Sequence, residues 1–149
     1  MRILIAEDDT LSRTLLERTL QRAGYEVVAV ADGAEALVEF TRLDPPRLAL
    51  LDWVMPEKDG LEVCREVRRR KEQAYTYLIL LSSRESKQDI VLGLAAGADD
   101  YLTKPFDVDE LKARLRTGER ILEHGERLCP ILAQQKVRRS KIADGSRFT

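Results

Sequence analysis

The sequence predicts a doubly wound α/β domain, a five-stranded parallel sheet with five helices covering its two faces. Three observations lead there. Short apolar runs alternate with stretches of helical periodicity from Ile3 to Leu122. Those runs are not broken by polar residues, which is how strands read when both faces of a parallel sheet are covered. Each is separated from the next by one helix-like stretch, the β-then-α repeat of such sheets. At 149 residues the chain supplies one domain of ordinary size.

Taken in order, Ile3–Ala6 is the first strand, and Leu11, Leu15, Leu16 and Leu20 follow at helical spacing until Gly24. Glu26–Val30 is the second strand and Ala34–Phe40 the second helix, ended before Asp44-Pro45-Pro46. Leu48–Leu51 is the third strand, and the helix over Gly60–Arg70 has Leu61, Val63, Cys64 and Val67 to turn inward. Leu78–Leu81 is the fourth strand, Asp89–Ala96 a helix closed by Gly97, and Tyr101–Thr103 a short fifth strand. Asp107 caps a last helix carrying Leu111 and Leu115. Its apolar stripe goes on through Leu122, Leu128 and Leu132, but Gly118, Gly125 and Pro130 interrupt it, which argues against a coiled coil.

Hydrophobic residues at 44% and charged residues at 34% give a core under a well-charged surface, excluding wholesale disorder, collagen-like repeats and a disulfide-stapled miniprotein. A formal net charge of -1 argues against a nucleic-acid binder that relies on bulk charge. Cys64 and Cys129 show no metal or redox spacing and read as reduced thiols. No apolar run approaches the roughly 20 residues of a spanning helix. The start lacks the longer apolar stretch of a signal peptide, so the reading is a cytoplasmic protein without membrane contact.

Folds of this kind place their sites outside the carboxyl ends of the strands. There the chain carries Glu7, Asp8 and Asp9 after the first strand, Asp52 after the third, Ser82 and Ser83 after the fourth, and Lys104 after the fifth. Clustered carboxylates repel one another unless a cation or a raised pKa relieves them. Oxygen donors without His or Cys at hand suit a hard ion: Mg²⁺, Mn²⁺ or Ca²⁺. Metal, ammonium and hydroxyl on one rim make a cradle for a phosphoryl group, within which a carboxylate can itself become an aspartyl-phosphate. Asp52, directly after the apolar Leu48–Leu51 run in the middle of the rim, is the candidate nucleophile.

Glu7-Asp8, Asp52-Trp53-Val54-Met55-Pro56 with Asp59-Gly60, Ser82, and Lys104-Pro105-Phe106 together resemble the receiver domain of two-component response regulators, over residues 1–122. The resemblance implies a flavodoxin-like fold with strand order 2-1-3-4-5. It implies that Asp52 is the phosphoacceptor, fed with Mg²⁺ present by a sensor histidine kinase or phosphotransfer protein. Asp8 would ligate the metal directly with Asp52 and the carbonyl of Val54, and Glu7 would act through water. Ser82 would hydrogen-bond the phosphoryl oxygen, Lys104 would pair with it, and the Lys104–Pro105 bond would be cis. Tyr101 matches the switch aromatic that moves inward once that hydroxyl is drawn to the phosphate. Phosphorylation would bias a two-state equilibrium and remodel the face made by the fourth helix, fifth strand and fifth helix, controlling an output partner. A phosphorylation-dependent homodimer would use the same face, with no direct nucleic-acid contact. The chain would catalyse only its own phosphorylation and dephosphorylation.

Val54 and Arg84, two residues beyond Asp52 and Ser82, offer nothing that activates water, so self-dephosphorylation is expected to be slow. Plainer roles stand beside the functional ones. Asp9 is either a third metal acid or a cap for the first helix, and Asp59-Gly60 reads as turn and helix-start chemistry. Ser83 reads as a strand-end serine, and Tyr101 as either a switch or a buried strand tyrosine. Trp53 is either a reporter of metal binding or a surface residue, and His124 a surface residue without acids at metal spacing. A phosphohydrolase of the haloacid dehalogenase type would instead carry its nucleophile after the first strand. An interaction module independent of phosphorylation need not retain Asp8, Asp52, Ser82 and Lys104.

Residues 123–149 read as a helical extension and a basic, flexible tail. From Ala133 onward Lys136, Arg138, Arg139, Lys141 and Arg147 face only Asp144, in a segment too short and too poor in aromatics for a DNA reader. Arg114–Glu123 resembles the linker helix that joins some receivers to diguanylate cyclase domains, so a parent protein with that output is an expectation beside a stand-alone receiver.

Overall fold

The computed structural model describes residues 1–70 and 74–127. Its elements are β1 (Arg2–Ala6), α1 (Thr10–Arg22), β2 (Glu26–Val30), α2 (Gly33–Phe40), β3 (Leu48–Asp52), α3 (Gly60–Arg69), β4 (Tyr77–Ser82), α4 (Lys87–Ala96), β5 (Asp100–Thr103) and α5 (Val108–Arg127). The strands form one sheet in the order β2-β1-β3-β4-β5, with every pair parallel. This is the doubly wound topology expected from the sequence.

The period-two geometry of a strand divides the core in two. Leu4, Ala6, Ala49, Leu51, Leu78 and Leu80 face α2, α3 and α4, where they meet Leu37, Val63, Cys64 and Ala96. Ile3, Ile5, Leu48, Leu50, Ile79 and Leu81 face the other way, against Leu16 and Leu20 of α1 and Leu111, Leu115 and Leu122 of α5. Because helices cover both faces, β3 and β4 are buried at every residue, and this is why their sequences show no alternation.

All five helices start on a side-chain cap that accepts a backbone N–H of the first turn: Asp9, Asp32, Asp59, Ser86 and Asp107. Each cap contributes about 1 kcal/mol to its helix. Asp59 and Glu62 form a reciprocal capping box, so Asp59-Gly60 is helix-start chemistry as read. Gly97 ends α4 at a φ of 124°.

Several expectations need correction. Asp52 and Ser82 are the last residues of β3 and β4 rather than the first beyond them, because parallel pairing continues to Asp52–Leu81 and Ser82–Thr103. Gly118 and Gly125 do not break α5, which runs unbroken to Arg127. Gly118 is there for close approach: a Cβ on it would stand 2.6 Å from the Tyr77 ring. Leu11 and Leu15 are exposed, and of the leucines in α1 only Leu16 and Leu20 reach the core. Trp53 is not a surface residue, being 5% exposed. Leu128, Cys129, Pro130, Leu132 and the basic segment from Ala133 lie outside the described residues. Among the described residues no helix is long and apolar enough to cross a membrane.

Candidate functional site

The alternation that splits the core also sorts the polar side chains at the carboxyl ends of the strands. Glu7 continues the row of Ile3 and Ile5, Asp52 that of Leu48 and Leu50, and Lys104 that of Leu102, all in the cluster beneath α1 and α5. Ser82 continues the row of Leu78 and Leu80, in the cluster beneath α3 and α4 that also holds Tyr101 and Trp53.

On the first side Lys104 Nζ lies 2.6 Å from Asp52 Oδ1 and 3.0 Å from Glu7 Oε1. Glu7 and Asp52 are buried, whereas Asp8 is exposed. The backbone N–H of Asp9 also donates to Glu7 Oε2 at 3.2 Å, and Arg13 donates to the Glu7 carbonyl at 2.9 Å. One oxygen from each of Glu7, Asp8 and Asp52 lies within 4.8 Å of the others. Burial pushes the Asp52 carboxyl above its ordinary range; the hydrogen bond from Lys104 opposes this, and the charges of Glu7 and Asp8 add to it. Burial alone would depress the Lys104 ammonium, but its bonds to Asp52 and Glu7 carry it upward. An all-oxygen donor set with one exposed member is an acidic cluster that could hold a hard metal ion. Asp9 stands apart as the cap of α1, its side chain accepting from the Ser12 N–H at 2.9 Å.

On the other side the Ser82 hydroxyl accepts from the Arg84 N–H at 3.0 Å, which leaves its own proton available to donate. Tyr101 is turned inward, 9% exposed, and its hydroxyl donates to the Arg84 carbonyl at 2.8 Å. Its ring meets Trp53 edge to face at 6.1 Å, and the Arg84 guanidinium lies 5.0 Å from the centre of the Trp53 ring. The sequence singled out Arg84 only as a non-acid, since nothing local to it signals the ring it covers.

The loop that follows Asp52 is held by close backbone approaches. Gly60 donates to the Trp53 carbonyl at 2.8 Å, and a Cβ on Gly60 would stand 2.6 Å from the Asp52 carbonyl oxygen. Val54 turns its side chain to solvent at 62% exposure. The Lys104–Pro105 bond is cis. Beside the carboxylates a groove of about 490 Å³ opens between α1 and α5, running from Glu7 and Lys104 over Leu15, Leu16 and Phe106. Ser83 lines this groove, Cys64 lies in the core beneath α3, and His124 is exposed on α5.

The family model described as the response regulator receiver domain matches residues 3–116. The chain is 43% identical over 122 residues to the transcriptional regulatory protein CseB of Streptomyces coelicolor, covering 82% of this chain and 50% of that protein. It therefore spans about half the length of the curated relatives it matches. Among solved structures it is similar to the BeF3-activated N-terminal receiver domain of Klebsiella pneumoniae RstA, with a TM-score of 0.72, 35% identity, and 79% of this chain and 97% of that one covered. It is also similar to a probable two-component response regulator/GGDEF domain protein, with a TM-score of 0.76, 28% identity, and 83% and 50% covered.

Proposed function

The chain belongs to the response regulator receiver domain family, and from that premise we propose that it is a phosphoacceptor switch of a two-component phosphorelay with Asp52 as the acceptor. The observation that carries this reading is the cluster in which Lys104 bridges Asp52 and Glu7 while Asp8 stands at its open edge. A carboxylate oxygen of Asp52 forms the new P–O bond as the P–N bond of a phosphohistidine on a sensor kinase or phosphotransfer protein breaks, and the imidazole keeps the electron pair. Lys104, already within reach of the acceptor, neutralises the phosphoryl oxygens, and Ser82 donates its hydroxyl proton to one of them. The donor set suits Mg²⁺, held by Asp8, Asp52 and the Val54 carbonyl with Glu7 acting through water; when bound it supplies positive charge to the transferring oxygens. The groove beside Glu7 and Lys104 gives a phosphohistidine-bearing partner an approach to Asp52.

The reading extends to Tyr101 as the switch aromatic and to α4, β5 and α5 as the face that an output partner or a second phosphorylated copy reads. The receiver unit spans residues 1–122, with 123–149 as its extension. The similarity to a GGDEF domain protein and the linker-like Arg114–Glu123 helix favour a diguanylate cyclase output in the parent protein. Catalysis is confined to the chain's own acyl phosphate.

Intact-mass spectrometry after incubation with acetyl phosphate tests the reading. One phosphoryl adduct that requires Mg²⁺ and is lost in Asp52→Asn is the expected result. An adduct that survives the substitution rules out Asp52 as the acceptor.

A further inference from the structure

Tyr101 is turned inward, and contacts with three neighbouring residues account for that pose. Its hydroxyl bonds to the carbonyl of Arg84, a residue of the short segment between Ser82, the end of β4, and Lys87, the start of α4. A carbonyl in such a segment holds a partner only as well as it is itself held. Arg84 has two anchors: its N–H on the Ser82 hydroxyl, and its guanidinium on the face of Trp53. Trp53 is a firm platform, 5% exposed, with its N–H bonded to the Leu81 carbonyl at 2.9 Å. Its ring in turn packs edge to face with that of Tyr101, so three residues close a ring of mutual support. Helix α4 rests on the result: a Cβ on Gly93 would stand 3.0 Å from the Tyr101 ring and 2.9 Å from Leu80, so the helix backbone lies directly on Tyr101.

We infer that Arg84 is a positioning residue that holds Tyr101 inward before any phosphoryl group arrives, through its cation stacked on Trp53 and its carbonyl bonded to the Tyr101 hydroxyl. The Ser82 hydroxyl can accept from Arg84 and donate to a phosphoryl oxygen at once, so phosphorylation adds to this arrangement rather than replacing it. The resting equilibrium is thereby already tilted toward the inward state of the switch. Only that last consequence rests on reading Asp52 as the acceptor; the hold on Tyr101 stands apart from it.

The test uses the full chain labelled with 3-fluorotyrosine, whose tyrosines are Tyr25, Tyr75, Tyr77 and Tyr101. Tyr101→Phe assigns the fluorine resonance of Tyr101. In the unphosphorylated wild type this resonance is expected at a buried position that Mg²⁺ with beryllofluoride moves only slightly. In Arg84→Ala it is expected to move toward the solvent-exposed position, the inward-to-outward ratio falling about two- to fivefold as a cation–π contact at an exposed site allows. Beryllofluoride then restores it, and Arg84→Lys, which keeps the cation, behaves as wild type. An unmoved resonance in Arg84→Ala overturns the inference, and so does Arg84→Lys behaving like Arg84→Ala. Failure of beryllofluoride to bind either protein would count against the receiver chemistry instead, leaving the comparison of metal-free resonances intact.

Discussion

The Lys104 ammonium sits 2.6 Å from Asp52 Oδ1, with 97 residues of sequence separating the same lysine from its second partner, Glu7. This one cation compensates two buried carboxylates. Lys104→Ala leaves them side by side and uncompensated, and is expected to cost about 1–3 kcal/mol in metal-free buffer. Urea unfolding with and without Mg²⁺ checks it; no loss in metal-free buffer would mean that the acids are solvated rather than held.

Metal binding should itself stabilise the fold. Mg²⁺ at ten times its dissociation constant adds about 1.4 kcal/mol to a protein that binds it only when folded. A rise in thermal midpoint that Asp8→Asn largely removes is the expected outcome, with Trp53 emission as a parallel readout. A rise unaffected by Asp8→Asn would move the metal elsewhere.

Phospho-Asp52 is expected to persist for minutes or longer without a phosphatase. Val54 is apolar and exposed, and Arg84 is engaged on Trp53, so neither orients a hydrolytic water. Decay of the phosphoryl adduct followed by mass spectrometry measures this, and a half-life of seconds contradicts it.

Gly118→Ala should destabilise although helix propensity alone favours alanine by about 1 kcal/mol. The new Cβ would stand 2.6 Å from Tyr77 Cδ2 and 3.1 Å from Leu48 Cδ1, and Tyr77 is itself buried. Overpacking of this kind costs about 1–3 kcal/mol, so the net sign is a loss. A stabilised variant would show that α5 can lift off the sheet.

Gly33→Ala should cost more than Gly24→Ala. At Gly33 the Cβ would stand 2.0 Å from the Lys58 carbonyl oxygen, a backbone atom of the loop that follows Asp52, and about 3 kcal/mol is expected. Gly24 has a φ of +100° and no heavy atom within 4 Å of such a Cβ, so only conformational strain of about 1–2 kcal/mol applies. Chemical denaturation of both variants gives the ranking, and the reverse order would refute it.

Stability should fall at alkaline pH. Burial pushes the Cys64 thiol up to about 12 from 9.0, so above pH 9.0 the folded chain keeps a proton that the unfolded chain releases. Folding is then penalised progressively as pH rises. Burial likewise raises Tyr77 to about 12 from 10.0, and Tyr25 and Tyr75 also upward, steepening the fall above pH 10.0. Urea midpoints followed from neutrality upward should be level below pH 9.0 and then drop, with Cys64→Ala delaying the onset. A flat profile through pH 10.0 would show the Cys64 thiol to be accessible.

How much was legible in advance differs from residue to residue. Gly97 as a helix stop and Asp59 as a helix start are decided within a few residues, and both were readable. Gly118 reads as a helix interruption for the opposite reason: its meaning lies in the ring of Tyr77, which only the packed sheet brings against it. Nothing local marks Arg68 of α3, which bonds the carbonyls of Gly97 and Thr76 and the carboxylate of Asp99, tying α3 to the segments that precede β4 and β5. Asp99 also accepts from Tyr75 and from the Leu78 N–H.

By itself the sequence determined the alternation of strand and helix, the burial of the central strands on both faces, and the placement of Glu7, Asp52, Ser82 and Lys104 at strand ends. These follow from short-range periodicity, because a side chain's direction along a strand depends only on its own backbone. Its two-residue rhythm even contained the division between the Glu7–Asp52–Lys104 side and the Ser82–Tyr101 side. The tertiary structure alone decided that Lys104 spans two acids, that Arg84 lies over Trp53, and that α4 rests on Tyr101 through Gly93. Those relationships join residues distant in the chain, and no local rhythm encodes them, because they are set by which surfaces the folded sheet and its helices press together.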